Sequence, residues 1–297
     1  MQLRAFSRLV LGLVLSLPAV SAYANTIPIL GSDLSTFAIL GGAGVATNGT
    51  ASDITGSVGA CCVATAVTGT IPTISGGTVQ TGGATATAAR DELVTSMTAL
   101  SNMKSTVTES SLGGLTLVPG VYSSLSTMDL PTNTTLTLDG KGDANALWVF
   151  QVGSALSTES GSMVNVINTG AGAGVYWVLK TTSGSASLGP DSTFAGNILA
   201  QIAITVGTSV TDSCGRLLTQ TASVTLAGTD TIIGIGNSCS GFLAGSNGAS
   251  GGQILNGVGA PLAPVPVPGT FALLLSGLLG MVFLTFRKSR VSSLRAC

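Results

Sequence analysis

The sequence predicts a mainly β protein: a coiled β-solenoid with one long α-helix packed alongside. Three observations predict it. A short apolar pattern repeats between Trp148 and Ile232, glycine is abundant while charge is scarce, and one isolated stretch near residue 90 has helical periodicity. A repeat near twenty residues arises when each short unit buries its apolar edge only against the next unit, as in a solenoid.

The repeat has two tracks. The first begins at four positions separated by 29, 20 and 19 residues: Trp148, Trp177, Asn197 and Arg216. The longer first step contains a glycine-rich loop, 168–174. The second track is a set of three-residue alternations: Ala186–Leu188, Ile204–Val206 and Val224–Leu226. Because side chains alternate between the two faces of a strand, the ends of each alternation point inward and its middle residue points outward.

Composition excludes several kinds of site. Only 8% of the 297 residues are charged, and histidine is absent. Without histidine the chain lacks the commonest general base and the commonest transition-metal ligand. A Ser-His-Asp or Cys-His catalytic apparatus is therefore excluded, and we expect no catalytic residue, no bound metal and no cofactor.

Charge and acid placement argue against two further kinds of ligand. Outside the two ends, five basic residues face twelve acidic ones, a net charge of about −7 that argues against nucleic acid as a partner. The alternating acids of Asp139–Asp143 lack the later carboxylates of a calcium loop, so we interpret them as a turn. Four further acids fall in different coils and are expected in solvated turns: Glu159, Asp191, Asp212 and Asp230.

The first 24 residues have the features of a secretory signal. Arg4 and Arg8 precede an apolar run, Leu9–Val20, and the small-x-small sequence Ala22–Ala24 follows it. Cleavage is expected after Ala24. Residues 25–240 then form the predicted solenoid domain, which begins with short strand-like pieces between glycine-rich turns.

A helix is predicted over about 85–104. Its apolar residues recur at steps of four and three, which places them on one face: Ala89, Leu93, Met97, Leu100 and Met103. A helix of about twenty residues is roughly 30 Å long, enough to lie across several coils. We interpret the apolar face as packing against the solenoid.

The C-terminal region has a different character. Residues 241–264 are rich in Gly, Ser and Pro and are predicted to be a linker. An apolar run, 270–286, follows and is ended by Arg287, Lys288 and Arg290. Its length suffices for a transmembrane helix with a cytoplasmic C-terminus, so we expect membrane contact only through this tail, before processing.

Six sequence blocks between about Ile27 and Ile233 resemble the ice-binding domain family known as DUF3494, and they occur in that family's order: 30–40, 113–122, 136–145, 149–153, 196–200 and 215–219. The resemblance implies a right-handed, discontinuous β-solenoid of triangular cross-section with a long helix beside it. It also implies an ice crystal surface as the partner, inhibition of ice growth and recrystallisation, and a monomer. The alternative is an extracellular matrix or adhesion protein that uses the same solenoid to bind exopolysaccharide.

Residues 265–297 resemble the PEP-CTERM class of sorting tails. The motif is Val265-Pro266-Val267-Pro268, with Val267 where the usual form has Glu. This resemblance implies an exosortase-type sorting enzyme and delivery to the outer surface of a Gram-negative bacterium.

Two ladders of hydroxyl side chains are predicted as the ice-binding surface. One contains Ser187, Thr205 and Thr225, and a neighbouring one contains Thr193, Thr211 and Thr229 or Thr231. Four exported cysteines are disulfide candidates. Because the family's first coil inserts beside its last ones, we expect Cys61 or Cys62 to pair with Cys214 or Cys239.

Overall fold

The chain winds repeatedly around three parallel β-sheets, with one strand in each sheet per turn. The computed structural model describes residues 30–49, 51–61, 67–70, 72–170 and 173–234. Within this part are 24 strands, numbered in chain order, and one helix, α1, which spans Gly83–Ser101. A typical coil passes from a nine-stranded sheet to a seven-stranded sheet and then to an eight-stranded sheet.

The nine-stranded sheet has the spatial order β7 (Val79–Thr81), β4 (Ser57–Ala60), β1 (Phe37–Gly41), β22 (Leu217–Thr219), β19 (Asn197–Ala200), β16 (Gly174–Leu179), β13 (Leu147–Val152), β10 (Gly120–Ser124) and β8 (Val107–Thr108). The seven-stranded sheet has the order β11 (Met128–Leu130), β14 (Ala155–Thr158), β17 (Ser185–Leu188), β20 (Ile204–Val206), β23 (Ser223–Leu226), β2 (Gly44–Thr47) and β5 (Val67–Gly69). The eight-stranded sheet has the order β6 (Thr73–Ser75), β3 (Asp53–Thr55), β24 (Thr231–Ile233), β21 (Thr211–Ser213), β18 (Thr193–Ala195), β15 (Met163–Ile167), β12 (Thr135–Asp139) and β9 (Thr116–Leu117).

The stack is discontinuous, because the first coil in the sequence lies on the last one. Strands β1, β2 and β3 pair with β22, β23 and β24, for example through Ile39 with Leu217 and through Val45 with Val224. Three parallel sheets with one helix beside them confirm the fold class predicted from the sequence. The helix begins and ends two to three residues before the predicted bounds of about 85–104.

The solenoid interior is apolar and contains a stack of aromatic rings. The centroid distances are 5.4 Å between Tyr122 and Phe150, 3.9 Å between Phe150 and Trp177, and 5.2 Å between Trp177 and Phe194. Trp177 is buried and its Nε1 donates to the Ala195 carbonyl at 3.2 Å, so its polar atom is satisfied inside the core. The rings hold consecutive coils in register.

Helix α1 closes a second core on the outer face of the nine-stranded sheet. Leu93, Met97 and Leu100 of the helix are buried together with sheet residues such as Tyr176 and Leu199. The Gln151 side-chain nitrogen donates to the carbonyls of Leu100 and Ser101 in the last turn of the helix, at 2.8 and 3.3 Å, and to that of Met103 just beyond it, at 2.7 Å. A helix end leaves carbonyls without intrahelical partners, and Gln151 contacts two of them.

Arg216 fixes the N-terminal segment to the last coil. This side chain is fully buried; its Nε donates to the Phe37 carbonyl at 2.6 Å and its Nη2 to the Ser35 carbonyl at 2.8 Å. From the helix side, Glu92 accepts a hydrogen bond of 2.7 Å from the Leu34 amide. The discontinuous junction is thus held by charge-assisted hydrogen bonds as well as by strand pairing.

Several predicted segments lie outside the described residues: the leader 1–24, the linker 241–264 and the tail 265–297 with its apolar run 270–286. Among the residues that are described, no helix is long and apolar enough to cross a membrane.

Candidate functional site

The most regular surface of the solenoid is the outer face of the eight-stranded sheet, here called the threonine face. Its first row runs through seven strands in continuous register and contains Thr135, Met163, Thr193, Thr211, Thr231, Asp53 and Thr73. Neighbouring strands are about 4.8 Å apart, so the row is roughly 29 Å long. Five of its seven members are threonine.

A second row lies two residues further along the same strands and completes the threonine face. Its outward members are Thr137, Asn165, Ser213, Ile233, Thr55 and Ser75, and the row is interrupted in β18, where Ala195 is buried. Residues two apart on one face of a strand are separated by roughly 6.6 to 6.8 Å. The face is therefore ordered in two dimensions, by the strand spacing in one direction and by the pleat in the other.

The side chains beneath the threonine face make it rigid. Leu136, Val164, Phe194 and Ile232 alternate with its outward residues and are buried in the interior core. β-branched threonine itself has restricted rotamers and packs well on a pleated surface. The outward side chains consequently hold nearly fixed positions relative to one another.

The hydroxyls at the centre of this face are available to water. No hydrogen bond to another residue of the described chain is found for the side chains of Thr193, Thr211 and Thr231. A hydroxyl can donate one hydrogen bond and accept two, and the adjacent methyl group is apolar. A regular array of such groups can hold water molecules at repeating positions.

The predicted ladder of Ser187, Thr205 and Thr225 is in register but belongs to the seven-stranded sheet. It continues through a row of residues on both sides: Asp129, Ser157, Ala46 and Thr68. Here the residues two positions before the row are small, including Ala155, Ser185, Ser223 and Gly44. The row through Ser187, Thr205 and Thr225 therefore has three threonines in seven positions, and it is less uniform than the first row of the threonine face.

The two predicted ladders are thus not neighbours on one face. Thr193 and Thr211 belong to the eight-stranded sheet together with Thr231. A corner of four residues, 207–210, separates Thr205 from Thr211 and turns the chain from one sheet to the other.

Of the two alternatives predicted for the last member of the second ladder, Thr231 is in register with Thr211, whereas Thr229 is not part of either ladder, which corrects its prediction as a site residue. Its φ is 56°, in the left-handed region, and its Oγ lies 3.2 Å from that of Ser209, a residue in the same conformation. Five coils have a left-handed residue two positions before the strand of the threonine face: Asn133, Gly161, Asp191, Ser209 and Thr229. This repeated corner, which the sequence analysis missed, determines which residues enter the face; the Asn and Gly at two of these positions are its sequence signal.

The predicted turn at Asp139 is formed by that residue's own carboxylate. Asp139 accepts hydrogen bonds from the Lys141 amide at 3.0 Å and from the Asn168 side chain at 2.9 Å, and Lys141 pairs with it. These hydrogen bonds lower the pKa of Asp139 to about 2. Both oxygens are thus engaged in closing the turn.

The acids that were expected in solvated turns divide into two groups. Glu159 and Asp191 are exposed, whereas Asp212 and Asp230 are buried. Asp230 is held by the amides of Val210 and Gly228, at 3.0 and 3.2 Å. For the buried pair the expectation was wrong, because strand alternation at Asp212 and the corner at Asp230 turn these side chains inward. Within the described ranges no three of the His, Cys, Asp and Glu side chains are grouped as metal ligands.

Cys61 is buried and not disulfide-bonded, which excludes Cys61 from the predicted pairing of Cys61 or Cys62 with Cys214 or Cys239; the alternative through Cys62 stays a prediction. Its sulfur faces α1, 3.8 Å from the Thr87 hydroxyl, because the helix covers this end of β4. Cys214 is disulfide-bonded, and its partner lies outside the described part of the chain. Cys62 and Cys239 are not described, nor are Val265, Pro266 and Pro268 of the sorting motif.

These features define a class of protein: a discontinuous parallel β-solenoid with a helix on one side and a regular, threonine-rich surface on another. The Ice-binding-like family matches residues 39–232, and the chain belongs to that family.

Individual relatives agree with this assignment. An ice-binding protein of Nostoc sp. (strain HG1) is 42% identical over 207 residues, which cover 69% of this chain and 74% of the relative. One from Flavobacterium frigoris (strain PS1) is 34% identical over 121 residues, 41% of each chain. The solved structure of an ice-binding protein from the Antarctic ascomycete Antarctomyces psychrotrophicus has a TM-score of 0.62 at 33% identity, covering 70% of this chain and 97% of that one.

Proposed function

We propose that this protein binds ice, and that the threonine face is the surface that contacts the crystal. The observation that carries the proposal is the pair of registered rows on the eight-stranded sheet, of which the first contains Thr193, Thr211 and Thr231 on adjacent strands. The relatives that are named ice-binding proteins support the ligand class, because this chain shares their family and much of their sequence.

The mechanism requires neither catalysis nor a cofactor. Water molecules bound to the hydroxyls repeat at the strand spacing in one direction and at the pleat spacing in the other. Such a layer can merge with the crystal lattice, and the methyl groups contribute apolar contact that excludes disordered water. An adsorbed protein then blocks growth at that part of the crystal and slows recrystallisation.

The threonine face is preferred over the seven-stranded sheet because its first row is more uniform. Five of the seven members of that row are threonine, and most of its members are therefore β-branched. The row that contains Ser187, Thr205 and Thr225 has three threonines in seven positions and is flanked by small residues such as Ala155 and Gly44. A row of identical, conformationally restricted side chains fixes water positions more regularly than a mixed row does.

The two ends of the chain support a proposal about location. We infer that the leader directs export and is removed after Ala24. The tail at 265–297 then holds the protein in the membrane through 270–286 until an exosortase-type enzyme processes it. The mature protein is a monomer at the surface of, or secreted by, a Gram-negative bacterium. Its function there is to limit ice growth near the cell.

Ice-crystal shaping and recrystallisation assays on the fragment 25–264 test the proposal. This fragment contains the compact unit Thr26–Leu262, to which all the described strands belong. Faceted crystals and slowed recrystallisation at micromolar protein are expected. Smooth, unfaceted crystals from folded protein would reject ice binding. Binding of the same fragment to purified exopolysaccharide without ice would then favour the matrix or adhesion alternative.

A further inference from the structure

Asp212 is a polar residue in an otherwise apolar row beneath the threonine face. It lies in β21 between the outward residues Thr211 and Ser213, and its side chain is fully buried. The inward row through neighbouring strands contains Leu136, Val164, Phe194, Asp212, Ile232 and Ile54. A carboxyl group therefore occupies a position that each of these neighbouring strands fills with an apolar side chain.

The carboxyl group has no hydrogen-bonding partner in the described structure. Both oxygens are inaccessible to solvent, and neither accepts a hydrogen bond from any described residue. A buried ionised carboxylate without a partner is strongly disfavoured, so such a group takes up a proton instead. In the protonated form it needs only one acceptor.

Gly215 makes the space for this group. A Cβ atom at position 215 would lie 2.4 Å from both Asp212 oxygens and 2.1 Å from the Gly196 carbonyl oxygen. The carboxyl group and a backbone carbonyl therefore meet at one glycine, which places an acceptor near a protonated acid.

The groups near Asp212 along the chain and the sheet are apolar or engaged elsewhere. The guanidinium of Arg216, one residue beyond Gly215, donates to the carbonyls of Phe37 and Ser35. The strands on either side of β21 present Phe194 and Ile232 to Asp212. Cys214, two residues further along the chain, is in a disulfide and does not titrate, and the carboxylate of Asp230 is bound by the amides of Val210 and Gly228. Burial alone, with no contribution from a charged neighbour in the described structure, raises the pKa of Asp212 well above its ordinary value.

We propose that Asp212 is a neutral carboxylic acid in the folded protein and that it makes the stability of the coil containing β21 depend on pH. As pH rises and the acid ionises, the buried charge destabilises this coil. The positions of Thr211 and Ser213 on the threonine face then become less well defined. Burial of the carboxyl group and its lack of a partner would have this effect whatever the threonine face binds.

The direction of the pH effect follows from proton linkage. In the unfolded chain the pKa of Asp212 is about 3.9, whereas the folded protein retains the proton to higher pH. Between the two pKa values the folded state binds more protons than the unfolded state. The folding constant therefore falls by up to about tenfold for each pH unit in this window, and the contribution is fully present below the unfolded pKa.

Denaturant unfolding of the fragment 25–264 and of its Asp212→Asn variant tests the proposal, at about pH 4 and about pH 8. Asparagine has a similar shape and does not titrate. The ratio of the wild-type folding constant to that of Asp212→Asn is expected to fall at least about tenfold between the two pH values. Asp191→Asn, which removes an exposed acid at a left-handed corner, is the matched control. The ratio of the wild-type folding constant to that of Asp191→Asn should change by less than about twofold between the two pH values.

Carbon NMR titration of the wild-type side-chain carboxyls provides a second measurement that needs no variant. The Asp212 carboxyl is expected to stay protonated above the ordinary aspartate pKa of about 3.9. A pH-independent stability ratio, or an Asp212 resonance that titrates near that ordinary value, would overturn the proposal.

Discussion

Thr205 and Thr211 lie six residues apart in the chain but on two different sheets of the solenoid. Both point outward and both have threonine neighbours on the adjacent coil, Thr225 and Thr231 respectively. The same substitution made at each of these two positions can therefore show which face binds ice.

Thr211→Tyr is expected to abolish most of the ice activity, because a bulky ring at the centre of the threonine face keeps the neighbouring hydroxyls away from the crystal. Thr205→Tyr makes the same chemical change on the seven-stranded sheet and should leave most of the activity intact. Thermal hysteresis and recrystallisation inhibition measure both variants. Since each site is on the surface, each variant should keep its stability within about 0.5 kcal/mol, which unfolding can check. The reverse pattern would assign the site to the ladder of Ser187, Thr205 and Thr225.

The left-handed corner predicts a stabilising substitution at Thr229. A β-branched residue at a φ of 56° is disfavoured, whereas asparagine tolerates that conformation and occupies the equivalent position 133. Thr229→Asn is expected to raise the free energy of unfolding by about 1 kcal/mol. Asn133→Thr makes the opposite change at a matched corner and should lower it by a similar amount. Denaturant unfolding measures both, and a loss of stability in Thr229→Asn would contradict this account of the corner.

Truncation of Leu93, in the core between the helix and the sheet, is expected to lower the free energy of unfolding substantially. This side chain is fully buried between α1 and the nine-stranded sheet. Leu93→Ala is expected to destabilise the protein by about 3 kcal/mol through lost burial and the cavity that remains. Thr95→Ala changes an exposed residue two positions along the helix and should cost less than about 0.5 kcal/mol. Equal, small effects would mean that the helix contributes little to the fold.

The cysteines predict a distinct labelling pattern. Cys61 is buried against α1 and has a free thiol, so it should resist alkylation in the native protein and react after unfolding. Cys214 should be recovered in a disulfide-linked peptide, with Cys62 or Cys239 as its partner. Peptide mass analysis with and without reductant identifies that partner. Cys214→Ser is expected to lower the free energy of unfolding by about 2 to 4 kcal/mol, and Cys61→Ser provides the comparison without a lost disulfide.

The amino-acid sequence alone was sufficient to predict the architecture, because local residue patterns encode the strands and the helix. The three-residue alternation Ile204–Val206 and its equivalents predict inward and outward residues correctly, and the stripe of Leu93, Met97 and Leu100 predicts the buried side of α1. Both patterns depend on strand and helix periodicity, which neighbouring residues determine without help from distant ones.

The candidate site required the tertiary structure. Alternation tells whether a side chain points outward, but it does not tell on which of three sheets the residue lies. That choice is made at corners such as 207–210, which have no hydrophobic period, and at left-handed residues such as Thr229, where backbone conformation and not side-chain type decides the path. The same corners divide the predicted hydroxyl ladders between two faces, and the stacking of distant coils encloses Asp212 among apolar neighbours and places Cys61 under the helix.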